Sequence, residues 1–141
     1  MANSIKEQSE ILDKLNIAAL NPMQKEAIAT INKNENTILL SPTGTGKTLA
    51  FSLPLLEMLN PDLEEVQALI LVPSRELAIQ IEQVIRSMGA GFKVNAVYGG
   101  RPMSKDKIEL KHTPAILIGT PGRISDHFTN ERFSKDFIKT L

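Results

Sequence analysis

The sequence predicts an α/β protein in which helices cover both faces of a parallel β-sheet. Two observations support this fold class. Four short apolar segments have the composition of buried strands, and helical patterns separate them along the chain. Three of these segments also end in turns with unusual residues, and the carboxyl ends of parallel strands are where such sheets bind ligands. The length of 141 residues is typical of one domain.

The composition excludes several classes of protein. Apolar residues make up 42% of the chain, cysteine is absent, and 16 basic residues balance 16 acidic ones. The apolar content argues against a wholly disordered chain, and the missing cysteines exclude disulfides and thiolate metal ligands. No apolar run approaches the roughly 20 residues that a bilayer requires, and the amino terminus lacks a secretory signal. We therefore expect a soluble, cytoplasmic protein with no membrane partner.

The amino-terminal part of the chain predicts two helices and one strand. Residues 9–15 have three apolar side chains at helical spacing. A second helix is predicted after Asn21, a favourable N-cap residue, with Pro22 at the first helical position. Residues 36–40 are predicted to form a short buried strand.

The rest of the chain alternates between helical and strand patterns. Capping residues and breakers set the predicted bounds of these elements. They are a helix over 48–59 that contains Pro54, a strand over 67–72, a helix over 75–88 capped by Ser74 and closed by Gly89, a strand over 93–98, a helix over 104–111, a strand over 115–118, and a helix over 121–130 capped by Thr120.

A phosphate-binding loop is predicted between the strand at 36–40 and the helix that follows it. Gly44 and Gly46 let successive backbone N–H groups point toward one anion, and Lys47 places a cation beside its phosphates. Thr48 offers a hydroxyl ligand to Mg²⁺. A glycine-rich turn that only starts a helix is the alternative. The predicted loop consists of Ser41, Pro42, Thr43, Gly44, Thr45, Gly46, Lys47 and Thr48.

Arginines near the other predicted strand ends indicate an anionic partner. Arg75 and Arg123 each stand in the first turn of a predicted helix, where the helix dipole disfavours a cation. Gly122 destabilises a helix relative to alanine, but it lets a ligand approach the backbone closely. These two positions suggest sites for the phosphates of an extended polyanion, and Gly99–Arg101 closes a third strand in a similar way. Ordinary helix caps and a plain turn are the alternatives.

The order of these motifs carries a family resemblance. Along the chain they are Asn21–Gln24 (NPMQ), Ser41–Thr48 (SPTGTGKT), Pro73–Ala78 (PSRELA), Gly99–Gly100 and Thr120–Arg123 (TPGR). In that order they resemble the end of the Q motif, motif I, motif Ia, the GG motif and motif Ib of DEAD-box ATP-dependent RNA helicases. The resemblance runs from about residue 9 to residue 141 and implies a RecA-like P-loop NTPase fold.

The resemblance also implies ligands and residue roles. ATP and Mg²⁺ would bind at residues 41–48, with Lys47 and Thr48 as the catalytic residues and Thr48 as the magnesium ligand. Gln24 would read the adenine edge, although from the residues alone it equally fits a capping position behind Asn21. RNA would be held by its phosphates and sugars, without sequence preference. The residues implied in RNA binding are Pro73, Ser74, Arg75, Gly99, Gly100, Arg101, Thr120, Pro121, Gly122 and Arg123.

Parts of the family pattern do not occur in this sequence. Ile17 and Glu7 stand where the family usually has aromatic residues upstream of its glutamine. No predicted strand ends in the second acidic magnesium ligand of P-loop NTPases, and residues 138–141 resemble the opening of the strand that carries D-E-A-D. We therefore interpret residues 1–141 as the amino-terminal part of RecA-like domain 1, from the Q motif to motif Ib, truncated before the Walker B strand and the second domain. We expect this piece alone to lack hydrolysis. We also expect it to have a gap in its sheet or an unpaired edge, and therefore to self-associate, exchange strands or be poorly stable.

Other functions fit some of these residues. A P-loop small-molecule kinase or transferase explains residues 41–48 but leaves PSRELA and TPGR without a role. A non-catalytic nucleotide-binding or RNA-binding module is favoured by the missing acidic strand. A DNA helicase from another branch of superfamily 2 is a closer alternative, against which Gln24 and TPGR argue.

Overall fold

The computed structural model describes residues 7–141, which form an α/β fold of six helices and three strands. The helices are α1 (Gln8–Lys14), α2 (Pro22–Lys33), α3 (Lys47–Met58), α4 (Arg75–Met88), α5 (Met103–Leu110) and α6 (Pro121–Thr129). The strands are β1 (Ala68–Leu71), β2 (Val94–Val97) and β3 (Ile116–Gly119). Apart from the strand at 36–40, each predicted element is present, and its predicted bounds differ from the observed ones by at most one residue.

The strands form one parallel sheet in the order β1-β3-β2. In the register of this sheet, Leu71 and Val97 both align with Gly119, so all three strands end at the same edge. The central strand β3 is buried along its whole length, as expected for a parallel strand with a neighbour on each side. The predicted parallel sheet is thus confirmed, and it brings three of the predicted ligand-binding turns to one edge.

Helices cover both faces of the sheet, as predicted. Ile116 and Ile118 face a cluster built mainly by α1, α3 and α4. Leu117 points to the other face, because side chains alternate along a strand, and packs in a cluster with Leu110 of α5 and Ile124 of α6. None of the helices within residues 7–141 is long and apolar enough to cross a bilayer.

Most of the residues predicted to cap, end or interrupt helices occupy those positions in the structure. The Ser74 side chain accepts a hydrogen bond from Leu77 N at 3.2 Å, and Gly89 ends α4 in the left-handed conformation. Pro54 lies inside α3 and is buried there. Thr120 occupies the predicted N-cap position of α6, but its side chain makes no capping hydrogen bond.

The strand predicted at 36–40 is wrong for this structure. The segment is not paired with any strand among residues 7–141, and the Ile38 and Leu40 side chains are 88% and 90% exposed. A strand forms only where a neighbour satisfies its backbone N–H and C=O groups. The apolar composition that predicts burial here therefore leaves two large side chains in solvent.

The carboxyl-terminal residues begin to pair with the outer edge of β1. Leu69 N donates to Thr140 O at 3.0 Å, and Lys139 N donates to Gln67 O at 3.0 Å. These bonds make a parallel bridge between Ala68 and Thr140. The bridge agrees with the prediction that a strand opens at residues 138–141.

Candidate functional site

The loop at residues 41–48 contains two glycines in the left-handed conformation. Gly44 and Gly46 have φ angles of +82° and +87°, in the left-handed region that glycine adopts without strain. Alternation between left-handed and right-handed residues turns successive N–H groups toward one side, which is how backbone nests bind anions. A Cβ atom built on Gly44 would meet nothing within 4 Å among the described residues. The loop is therefore open on this side.

The side chains of this loop bind its own carbonyl groups. The Lys47 ammonium donates to Ser41 O at 2.5 Å and to Pro42 O at 2.9 Å. The Thr45 hydroxyl donates to Pro42 O at 2.7 Å and accepts from the Ser41 hydroxyl at 2.6 Å. A phosphate in this loop would have to draw the ammonium away from the two carbonyls.

Gln24 connects the start of α2 to the loop. Asn21 N donates to its Oε1 at 2.9 Å, and Gln24 N donates to Asn21 Oδ1 at 2.8 Å, which completes a capping box. Gln24 Nε2 also donates to Gly46 O at 3.2 Å, while Asn21 Nδ2 donates to Thr45 O at 3.0 Å. The capping interpretation of Gln24 is thus confirmed, and the same side chain lies against the loop. Its contact with adenine stays a prediction.

The residues in this loop fit Mg²⁺ only together with a nucleotide. Thr48 lies in the first turn of α3, one residue after Lys47. No group of three or more His, Cys, Asp and Glu side chains among residues 7–141 could hold a metal ion. Mg²⁺ usually keeps several waters and binds through substrate phosphates with one or two protein groups. A single hydroxyl beside a phosphate-binding loop suits that mode of binding.

A second candidate site lies where β1 and β2 end. A cleft of about 410 Å³ separates the first turn of α4 from the turn after β2, and we refer to it as the strand-end cleft. The Arg75 side chain is 55% exposed, and its ion pair with Glu76 is loose, at 3.6 Å. Lys105, which no motif singled out, is exposed on α5 and completes the basic part of the lining. The residues that line the cleft are Arg75, Glu76, Ile79, Tyr98, Gly100, Arg101, Pro102 and Lys105.

Arg123 has its anionic partner inside the protein, which corrects the interpretation of its charge. Its Nη1 donates to Asp106 Oδ2 at 3.1 Å, and its Nη2 donates to Arg101 O at 2.8 Å. The Arg123 side chain is only 13% exposed, and Asp106 has no exposed surface. The position of Arg123 in the first turn of α6 is therefore explained without an external anion. Its contact with RNA stays a prediction.

Arg101 is also paired within the protein. Its guanidinium donates to Ala96 O at 2.6 Å and to Glu109 Oε1 at 2.5 Å, and its Nη1 lies 3.2 Å from Asp106 Oδ1. Burial alone would lower the pKa of Arg101, but Glu109 and Asp106 raise it above its usual value. Its side chain has little capacity left for a phosphate.

Asp106 and His127, both fully buried, are the functional candidates that the sequence analysis missed. His127 Nε2 lies 2.8 Å from Asp106 Oδ2, and Arg132 Nη1 lies 3.1 Å from His127 Nδ1. Because an arginine N–H only donates, Nδ1 accepts and Nε2 carries the proton that Asp106 accepts. One available signal was that Asp106 stands one helical turn before Leu110, on the face of α5 that the apolar residue buries.

The first turn of α6 is open to solvent. Pro121 and Gly122 are exposed, and a Cβ atom on Gly122 would meet nothing within 4 Å. The side chain of Thr120 does not cap the turn. The structure thus brings Gly99, Gly100, Pro121 and Gly122 to the surface at the carboxyl edge of the sheet, while the side chains of Arg101 and Arg123 turn inward.

Known RNA helicases are similar in sequence to this chain. The chain is 36% identical over 131 residues to the DEAD-box ATP-dependent RNA helicase CshC of Bacillus cereus, an alignment that covers 92% of this chain and 34% of CshC. It is 42% identical over 122 residues to the probable ATP-dependent RNA helicase YfmL of Bacillus subtilis, with 85% of this chain and 32% of YfmL covered. The chain therefore spans about a third of the length of these relatives.

The fold is similarly that of known helicase domains. The crystal structure of the yeast DEAD-box splicing factor Prp28 superposes with a TM-score of 0.81 at 26% identity, over 96% of this chain and 35% of that one. This match supports the predicted RecA-like fold. A sequence model of the DEAD/DEAH box helicase family matches residues 21–141, and the chain accordingly belongs to that family.

Proposed function

We propose that residues 41–48 bind ATP with Mg²⁺ and that the strand ends bind the RNA backbone, as part of an ATP-dependent RNA helicase. The observation that carries the proposal is the hydrogen bond of Gln24 Nε2 to Gly46 O. This bond holds an amide side chain, suited to the edge of a base, beside a loop with two left-handed glycines. The names of the relatives support the helicase activity, which we propose for the longer protein to which such a domain belongs.

In this proposal each residue of the loop has a separate task. The backbone N–H groups from Gly44 to Thr48 hold the phosphates, and Lys47 exchanges its bonds to Ser41 O and Pro42 O for phosphate oxygens. Thr48 holds Mg²⁺, which would neutralise charge on the phosphates when bound. Gln24 distinguishes adenine from guanine by its amide group.

Hydrolysis of ATP needs a magnesium ligand in addition to Thr48. A P-loop NTPase holds Mg²⁺ with a further acidic residue on a strand next to the loop. None of the strands described within residues 7–141 contains an aspartate or glutamate. We therefore propose that the 141-residue chain binds ATP without hydrolysing it above the background rate.

The RNA site in this proposal contacts phosphates and sugars. Arg75 and Lys105 supply exposed cations on the two sides of the strand-end cleft. The exposed backbone at Gly100 and Gly122 supplies N–H donors. Contacts of this kind give affinity that depends on salt but not on base sequence.

Thermal denaturation with nucleotides tests the nucleotide site. A ligand that binds only the folded state raises the melting temperature by mass action. We expect Mg-ATP to raise it more than Mg-GTP, and Lys47→Ala to abolish the rise. Lys33→Ala, an exposed lysine at the end of α2, is the matched control and keeps the rise. An unchanged rise in Lys47→Ala would contradict the phosphate site, and equal rises for both nucleotides would contradict the role of Gln24.

A further inference from the structure

A single buried carboxylate joins two of the loops that the proposed function assigns to RNA. Asp106 has no exposed surface, and its two oxygens face Arg101 of the turn after β2 and Arg123 of the first turn of α6. Arg123 Nη2 in addition donates to the backbone oxygen of Arg101 at 2.8 Å. We propose that Asp106 is a positioning residue for RNA binding, which fixes these two loops relative to each other.

The hydrogen bonds around Asp106 support a positioning role. Oδ2 accepts from Arg123 and from His127, both of which belong to α6. Oδ1 lies 3.2 Å from Arg101 Nη1, in an ion pair that lacks the alignment of a hydrogen bond. Asp106 itself belongs to α5, so one side chain connects α5, α6 and the turn after β2. Buried ionic contacts of this kind are strong only while all partners remain in place.

The His127 side chain, which binds Asp106, is also held in place by its other neighbours. Arg132 Nη1 donates to His127 Nδ1 at 3.1 Å and to Asp126 Oδ2 at 2.9 Å. The His127 ring is therefore held from both nitrogens and has no exposed surface. Because each member of the cluster has a partner, α6 has one orientation relative to the turn after β2.

This arrangement changes which groups are expected to touch RNA. The Arg101 and Arg123 side chains are 14% and 13% exposed, and their guanidinium groups are bound to carboxylates. The inference rests on the proposed RNA function. In it, the two arginines hold the two loops in position through Asp106 and do not bind phosphate. The exposed backbone of Gly100 and Gly122, together with Arg75, faces the ligand. Asp106 determines how these groups are spaced.

RNA binding measured over a series of salt concentrations tests the positioning role. The chain is titrated into fluorescently labelled single-stranded RNA, at a temperature where each variant is folded by its melting curve. We expect Asp106→Asn to weaken binding about fivefold, with the dependence of log K on log salt unchanged because no phosphate contact is lost. The stabilisation by Mg-ATP should also be unchanged. Asp106→Glu keeps the charge and should bind more tightly than Asp106→Asn, while the exposed Asp136→Asn is the control.

Other results of this titration would contradict either the positioning role of Asp106 or the proposed RNA function. Wild-type affinity in Asp106→Asn would overturn the positioning role. Tighter binding with a steeper salt dependence would also overturn it, because Asp106 would then be withholding the two arginines from RNA. A wild-type chain that binds no RNA would instead contradict the proposed function itself.

A second measurement on the wild-type chain does not depend on the folding of a variant. The side-chain Nε–H resonances of the arginines are followed by NMR as RNA is added. We expect the Arg75 signal to shift while the Arg101 and Arg123 signals stay at their positions in the free protein. A shift of the Arg123 signal as large as that of Arg75 would show that its guanidinium leaves Asp106 for the ligand, which would overturn the inference.

Discussion

The Arg123 guanidinium donates to the buried carboxylate of Asp106 at 3.1 Å, across 17 positions of sequence. A cation in the first turn of a helix is unfavourable beside the positive end of the helix dipole. Here the carboxylate of α5 offsets that cost, because it lies in the interior where the attraction of opposite charges is little screened. The motif at residues 120–123 thus has a structural role within the fold in addition to its proposed role in RNA binding.

Removal of Arg123 is expected to destabilise the folded chain. Arg123→Ala leaves Asp106 buried with one cation fewer, and breaking a buried pair from one side costs about 3–5 kcal/mol. Urea denaturation followed by circular dichroism measures the free energy of unfolding. Arg75→Ala, at an exposed arginine in the equivalent turn of α4, is the matched control and should change that free energy by less than about 0.5 kcal/mol. Equal losses in the two variants would contradict the structural role of Arg123.

Arg75 and Lys105 are expected to contribute phosphate contacts. For single-stranded nucleic acid, loss of one such contact reduces the slope of log K against log salt by about 0.7. Arg75→Ala and Lys105→Ala should each weaken binding to the same extent for different RNA sequences. Lys139→Ala, an exposed lysine on the bridge to β1, is the control. A slope that Arg75→Ala leaves unchanged would remove Arg75 from the interface.

Local signals in the sequence were sufficient for the helices but not for every strand. The capping of α2 by Asn21 and of α4 by Ser74 depends on neighbours a few residues away, so the pattern alone predicts it. The segment at 36–40 has the composition of a strand, but strand formation depends on a partner from elsewhere in the chain. Within residues 7–141 no strand pairs with this segment, and its Ile38 and Leu40 side chains are exposed.

At the candidate site, the sequence predicts the conformation of the loop but not the contacts of the arginines. The left-handed Gly44 and Gly46 follow from the loop pattern, because only glycine adopts that conformation readily. The inward turn of Arg101 and Arg123 does not follow from any motif. It depends on the burial of Asp106, which is decided by how α5 packs on the sheet and not by spacing within the motif.

Gly46→Ala is expected to disturb the contact between α2 and the loop. The residue has a φ angle of +87°, which costs an L-amino acid about 1–2 kcal/mol. A Cβ atom there would also collide with the Gln24 amide, so the bond of Gln24 to Gly46 O would be lost. The free energy of unfolding and the stabilisation by Mg-ATP should both fall. Gly99→Ala, where a Cβ atom meets nothing within 4 Å, is the control, and equal effects would contradict this contact.

Glu82 is expected to make the stability of the chain depend on pH. Burial raises the pKa of Glu82 above its usual value of 4.5, although the cation of Arg86 opposes the change. Between the pKa of Glu82 in the unfolded chain and its raised pKa in the folded chain, the folded chain binds more protons than the unfolded chain. The free energy of unfolding therefore falls as pH rises through this range. Glu82→Gln should remove this fall, as measured by melting temperatures from pH 4 upward. The exposed Glu26→Gln is the control, and an unchanged profile in Glu82→Gln would contradict the assignment.

The chain is expected to self-associate through two exposed features, the partly paired outer edge of β1 and the segment at residues 36–40. Thr140 pairs with only the start of that edge, and Ile38, Leu40 and Leu71 are exposed. Unpaired strand edges and exposed apolar side chains favour association between copies. Sedimentation velocity over a concentration series should detect oligomers that the double substitution Ile38→Lys and Leu40→Lys reduces. Ile108→Lys, at an exposed apolar residue of α5, is the control, and a chain that is monomeric at every concentration would contradict the prediction.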